Sequence, residues 1–329
     1  MPFDIPASFA EVSPPLASVQ PVIEGSEHVR TDVDAIERVA SWLAYEEFGR
    51  PGIQTSEPLE RSRAIDVTMF TSTLNFAFTD FSTSQKFEVQ GPSGVLSDSE
   101  AMFHCVDQAL QAGVPLTDGR YQAEVTRDQL DEVFRGNIEI PMLDERAAML
   151  NQVGQVLAER YDGSFTNFID SCPPRLYHDG EGMLERLLVE FPRFDDVSDW
   201  HGHRVQLHKL AQLSLWSMHA AGFIHLEDLP RMTAFADYIV PVAMRLFGIF
   251  VYSDDLEARI NAGELIPRDS DEEIEIRAHS LHSTALLTEA INRIRPADMR
   301  LVIPQLDYRL WKTYHATFWP HHLTRTVMY

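Results

Sequence analysis

From about residue 98 onward, apolar residues recur at three- and four-residue intervals almost without interruption, and this spacing commits most of the chain to helix. Ile36, Val39, Ala40 and Leu43 already form such a stripe near the N-terminus. Met149, Leu150, Val153, Val156 and Leu157 form another, and residues 203–220, 231–249 and 272–294 predict three more long helices. Local signals set several starts. Ser97-Asp98-Ser99-Glu100 opens a helix that runs to Gly113, and Thr126-Arg127-Asp128-Gln129 has the form of a capping box with Leu130, Val133 and Phe134 behind it. The acidic run from Asp269 to Glu273 suits the positive end of the 272–294 helix dipole. Residues 73–78 and 86–90 alternate instead, carry aromatics and flank the polar stretch TDFSTSQ, which predicts a small antiparallel hairpin. Residues 1–25, rich in Pro, Ser and Ala without a clear period, read as an N-terminal arm. No Gly/Ser linker or internal repeat divides the remainder. The expectation is a mainly α protein, with a single compact helical domain over residues 26–329 and a small antiparallel β element.

Composition narrows the partners. A net charge of −23 repels phosphate backbones, which argues against a nucleic-acid polymer. A single nucleotide remains compatible, because a few local donors hold one phosphate, and an acidic field favours a substrate that carries an amine. Cys105 and Cys172 are the two cysteines, with no zinc or disulfide spacing, as suits a reducing cytosol. The N-terminal MPFDIPASFAEVSPPL lacks a basic and apolar leader pattern, and no run reaches the roughly 18 apolar residues that span a bilayer. A cytoplasmic protein without a membrane partner is expected. The Gly-rich dinucleotide and triphosphate loops, HExxH and GxSxG are all missing from the sequence, and no cofactor is expected. His201, His203 and His208, preceded by Asp195, Asp196 and Asp199, lack a completing ligand pair; they read as a polar loop opening a helix, and no metal is expected. His321-His322 reads as a surface pair.

Three segments place charge where a core would not. The first is Phe191-Pro192-Arg193-Phe194-Asp195-Asp196, followed by the helix that holds Lys209; Lys209 is flanked by Leu207, Leu210, Leu213 and Trp216, so its stem lies along apolar surface, and its ammonium either snorkels to water or stands ready for an anion. Phe235-Ala236-Asp237-Tyr238 runs into Ile239, Val240, Val242, Met244, Leu246 and Phe247, and an Asp there is costly unless bonded. Function and helix capping are both open for Asp237. Leu306-Asp307-Tyr308-Arg309-Leu310-Trp311 sets another acid beside aromatics, as a cap, an ion pair or a site residue. Glu275 and Arg277 read as an ordinary helix ion pair.

Together these segments resemble the queuosine salvage family across nearly the whole chain. The family's Thr-Leu-Asn-Phe-x-Phe element stands at Thr73–Phe78. Gly113-Val114-Pro115 with Tyr121, and Leu143-Asp144-Glu145-Arg146 with the helix to Gly154, follow in order. The family lysine falls on Lys209 in Lys209-Leu210-Ala211-Gln212, and Phe-Ala-Asp-Tyr is intact at 235–238, with Pro241 and Gly248 in register. Tyr252-Ser253-Asp254-Asp255-Leu256, Glu275-Ile276-Arg277, Leu306-Asp307-Tyr308, Leu310-Trp311, His322, Arg325 and Tyr329 complete the pattern. The sequence departs at Ile239 and Val242, where the family has Arg and Gln. It departs again at Lys312, where an acid follows the Trp, and at Gly94-Val95-Leu96, where Gly-Tyr-Trp is usual. A histidine the family carries before the hairpin has no match.

The resemblance implies a fold like the helical DNA glycosylases. It also implies hydrolysis of the N-glycosidic bond of queuosine 5′-phosphate, releasing queuine for salvage into tRNA modification. Such cleavage builds positive charge on the ribose, which a fixed carboxylate stabilises. Queuine, a 7-deazapurine, lacks the N7 that is usually protonated, so the sugar side carries more of the catalysis. On this resemblance Asp237 is the main catalytic carboxylate and Asp307 the second, for catalysis or for holding the base. Phe235 and Trp311 stack on the heterocycle, with Tyr238 beside them. Lys209, with Arg325 or His322, holds the 5′-phosphate. Lys312 lines the pocket in place of the family acid. That replacement keeps two rivals open: a non-catalytic nucleotide- or base-binding member, and a hydrolase of a related modified nucleotide.

Overall fold

A computed structural model describes residues 4–49, 60–315, 317 and 319–329, and among these there are fourteen α-helices and three two-stranded antiparallel sheets. The mainly α expectation holds. None of the helices is long and apolar enough to cross a membrane, among the described residues. The chain divides into two compact units, one of Met1–Gly52, Asp196–Trp216 and His225–Arg325, the other of Ile53–Asp195, Ser217–Ile224 and Thr326–Tyr329.

The first unit is built around the helix Asp271–Ile294. Ser270 caps it, and Asp271, Glu272 and Glu273 fill its first turn, as the acidic run predicts. Ile274, Ala278, Leu281 and Ala285, at helical spacing, feed one core with Leu16, Val19, Val22, Val205, Ala236 and Ile303. Ile276, Leu287, Ala290 and Ile291 feed another with Ile36, Val39, Leu43, Val240, Leu306 and Leu310. Apolar residues on two faces leave polar ones to be satisfied inside. Ser280, Thr284 and Thr288 each donate to the carbonyl four residues back, at 2.7–2.8 Å. The Glu275 carboxylate accepts the N–H groups of Glu27, His28 and Val29 at 3.1, 2.7 and 2.9 Å. The helix ion pair expected between Glu275 and Arg277 does not form, because residues two apart point to different faces. The segment read as an arm holds a helix, Pro14–Gly25, with Leu16, Val19 and Val22 buried; its interleaved Pro and Ser residues mask the period.

Two of the long helical readings are shortened. In 203–220, His203–Gln206 pairs with Val197–Trp200 across a turn with His201 and Gly202 at φ 51° and 87°, and the helix is Lys209–Ala220. In 231–249 the helix is only Ile239–Leu246. Residues 232–238 are buried irregular chain whose backbone groups bond to side chains: Thr233 N–H to Gln212 Oε1 at 2.8 Å, Phe235 N–H to Asp307 Oδ2 at 2.8 Å, and the Ala236 carbonyl to Arg277 Nε at 3.1 Å. Burial all round makes the segment as apolar as a helix, so its pattern does not separate the two.

In the second unit the sheet forms one step later than predicted: Glu88–Gly91 pairs with Gly94–Ser97, while the predicted strands 73–78 and 86–90 meet only at their ends, through the Phe87 N–H to the Phe78 carbonyl at 2.7 Å and the isolated bridge Thr79–Lys86 just beyond 73–78. Thr73 ends the helix Arg61–Thr73 instead. The Arg146 guanidinium, fully buried, takes the place of a partner strand. It donates to the carbonyls of Leu74, Phe76, Ala77 and Pro141 at 2.5–2.9 Å, with its Cζ 4.4 Å from the Phe76 ring centre. Burial pulls its pKa down to about 9, so it stays charged at neutral pH. Arg146→Met is expected to destabilise this unit by about 3 kcal/mol, because buried carbonyls lose their donor. Urea denaturation checks this, and an unchanged midpoint contradicts it.

Candidate active site

The site grows from the irregular 232–238 segment. Asp237 stands one residue before its end, and its Oδ1 accepts the N–H groups of Ile239 and Val240 at 2.8 and 3.0 Å, which starts the Ile239–Leu246 helix. The capping reading and the site reading of Asp237 are therefore compatible. Asp307 lies in the helix Ile303–Tyr314, where its Oδ2 holds the Phe235 N–H. Lys209 is the first residue of its helix. Asp237, Asp307 and Lys209 are 8%, 4% and 6% exposed, so all three charges are withdrawn from bulk water and Lys209 does not snorkel.

Electrostatic coupling binds them together. Burial raises Asp237, while the Lys209 charge and the two helix N–H groups oppose the rise. Burial raises Asp307 well above the ordinary carboxylate range, and the neighbouring Asp237 charge raises it further. Burial pulls Lys209 down to about 8, against the attraction of Asp237. Two acids share one cation, and their surroundings push them apart: Asp237 is the one better kept as an anion, and Asp307 the one that keeps its proton to higher pH. Among the described residues, the bonds to Asp237 fall on Oδ1 and the bond to Asp307 on Oδ2, and none reaches the Lys209 ammonium. One oxygen of each acid and the ammonium thus carry no hydrogen bond among the described residues.

Asp196 and Arg277, both buried, form a fork-like pair beside this cluster, at 3.0 and 2.5 Å. The pair was not legible from spacing, since 81 residues separate its members.

The other predicted residues are placed less uniformly. Phe235 is buried, and Tyr238 stacks on His321 at 4.5 Å. Trp311 lies one helical turn beyond Asp307 and stacks on His315 at 4.7 Å. Lys312 is exposed, with its ammonium 6.0 Å from the Tyr308 ring centre, and is not among the charges that shift Asp237, Asp307 or Lys209. Arg325 is exposed. His322 is buried and not a surface residue; burial pulls it down to about 3, so at neutral pH it offers a hydrogen bond without a charge. His201 and His203 lie on the hairpin, and His208 is buried just before Lys209. A groove of about 540 Å³ in the other unit is lined by Val89, His104, Cys105 and Arg135, with Glu88 its single carboxylate. Burial pushes the Cys105 thiol up to about 11 and keeps it protonated. Coupled acids, the requirement for acid–base work, are at Asp237 and not in that groove.

Residues 56–329 match the family model described as queuosine salvage protein. A queuosine 5′-phosphate N-glycosylase/hydrolase of Sphaerobacter thermophilus is 31% identical over 325 residues, covering 95% of this chain and 97% of that protein. Proteins of the same name from Bos taurus and Mus musculus are 28% and 26% identical, covering 83% and 91% of this chain and 80% and 93% of their own lengths.

Proposed function

The chain belongs to the queuosine salvage protein family, and from that membership we propose that it hydrolyses the N-glycosidic bond of queuosine 5′-phosphate to release queuine. The observation that carries the reading is the buried pair Asp237 and Asp307 around Lys209, with acidities pushed apart. As the bond from the anomeric carbon to the base nitrogen breaks, its electron pair leaves with the base and positive charge develops on the ribose. Asp237, an anion in a low-dielectric site, stabilises that charge and orients the water that completes hydrolysis. Asp307, protonated to higher pH, supplies a hydrogen-bond donor to the departing base, which compensates for the missing N7. Trp311, already stacked with His315 at 4.7 Å and Tyr308 at 6.4 Å, lies beside the heterocycle as part of that aromatic array. Lys209 keeps Asp237 ionised, and with Arg325 and neutral His322 provides donors for the 5′-phosphate. The substrate is a free nucleotide, and the −23 charge opposes a polymer.

A substrate panel tests this reading. Queuosine 5′-phosphate is expected to release base, queuosine without its phosphate to do so about a hundredfold less efficiently, and guanosine 5′-phosphate less still. Binding of queuosine 5′-phosphate without any release contradicts the hydrolase reading and favours a binding protein.

The acid–base pattern sets the pH dependence. kcat/KM is expected to rise as Asp237 loses its proton, at a pH raised from its ordinary value by burial, and to fall as Lys209 is neutralised at about 8. The limbs belong to the coupled cluster as a whole. Initial rates from about pH 4 to about pH 10 check this, and a flat alkaline side contradicts the role given to Lys209.

A further inference from the structure

We propose that the buried Asp196–Arg277 ion pair is a positioning device for cleavage, holding the chain that carries Lys209 and the chain that carries Asp237 at a fixed separation. The proposal rests on the reading of those two residues given above. Arg277 projects from the Asp271–Ile294 helix, and its Nη1 and Nη2 meet Asp196 Oδ1 and Oδ2 at 3.0 and 2.5 Å. On one side, Arg277 Nε donates to the carbonyl of Ala236, the residue before Asp237, at 3.1 Å. On the other, the Asp196 carbonyl accepts the N–H groups of Leu207 and His208 at 3.0 and 2.9 Å, and its Oδ2 accepts the Lys209 N–H at 3.3 Å. One ion pair thus touches the backbone at Lys209 and at Ala236, the residue before Asp237. A fork-to-carboxylate contact fixes orientation as well as distance.

A buried ion pair is a poor way to gain stability alone, since apolar residues of similar volume often serve as well. Its use here is in position. A parallel tie supports this: Gln212, one turn along the Lys209 helix, accepts the Thr233 N–H at 2.8 Å and donates to Thr233 Oγ1 at 2.9 Å. The charged and titratable groups around the device include Glu273, at 3.6 Å from Arg277 Nη1, His208 beside Asp196, His322 near Arg277, and Lys209 itself. Lys209 and Asp237 face each other, with Asp307 on Lys209 and His321 on Asp237. Asp196 and Arg277 are positioning residues and not catalytic ones.

Arg277→Lys keeps the charge and loses the fork, and Asp196→Glu keeps the charge and displaces the carboxylate. Each is expected to lower kcat for base release about a hundredfold while KM stays within about threefold. Amide exchange is expected to quicken about tenfold in 206–212 and 232–240, and to stay unchanged in 285–294. A kcat within about twofold of wild type, or unchanged exchange in the two tied segments, overturns the proposal. Failure of both conservative variants to fold also overturns it, because the pair then holds the unit and not the site. Asp237→Asn, run in parallel, separates this from the proposed function. If wild type releases no base, that reading fails, while the exchange measurement still decides whether the pair ties the two segments.

Discussion

Asp237→Asn is expected to lower kcat for base release by about 10⁴-fold while leaving the protein at least as stable as wild type at neutral pH. The rate falls because the amide cannot supply negative charge to the developing cation. Stability is retained because an Asn oxygen can still accept the Ile239 and Val240 N–H groups that start the helix. The sign of the charge effect follows from linkage. Burial raises Asp237 in the folded chain above its unfolded value near 3.8, so its contribution is fully present below that value and is lost as pH rises through the folded one. At neutral pH the ionised carboxylate is a cost, and the amide removes it. Single-turnover rates and urea denaturation of both proteins check the pair of expectations. A variant that is unfolded contradicts the second, and one that is active contradicts the first.

Lys209→Met is expected to lower kcat/KM by about 10²- to 10³-fold and to reshape the pH profile. Met occupies similar space along the apolar surface, so packing is largely kept. What disappears is the charge that opposes the burial of Asp237 and Asp307. Both acids then hold their protons to higher pH, so the acid limb moves upward and the alkaline limb at about 8 vanishes. Rates across pH check this, and survival of the alkaline limb in the variant assigns it to another group. On stability the sign is opposite to that of the acids. Lys209 is depressed, so its contribution is present above its unfolded value near 10.5 and lost as pH falls through about 8.

What the sequence disclosed depended on whether a residue's neighbours along the chain are also its neighbours in space. Asp237 and Lys209 stand out because each interrupts an apolar run, but that contrast leaves snorkelling open for Lys209, and it is the fold that buries both. The Asp271–Ile294 helix announces itself through its acidic first turn and its spacing. The 231–249 pattern misleads, since chain buried on every side is apolar whether or not it is helical. Only the partners Gln212, Asp307 and Arg277, distant in sequence, explain why 232–238 is not helix. The Thr73–Phe78 segment misleads for the same reason: the donor that replaces its expected partner strand is Arg146, about seventy residues away. Asp196 lay within a segment singled out for its charge, but its pairing with Arg277 and their grip on Ala236 and Lys209 are tertiary facts. Lys312 departs from the family pattern, yet it is exposed beside Tyr308, while the coupled acids and Lys209 are intact.

The most direct measurement is the quantity of free base and of ribose 5-phosphate formed from queuosine 5′-phosphate at saturating concentration, by wild type and by Asp237→Asn. Equal amounts of the two products from wild type, and neither from a folded variant that still binds the nucleotide, are the expected result. Nucleotide recovered intact from wild type, or product from both proteins at similar rates, would contradict hydrolysis at Asp237.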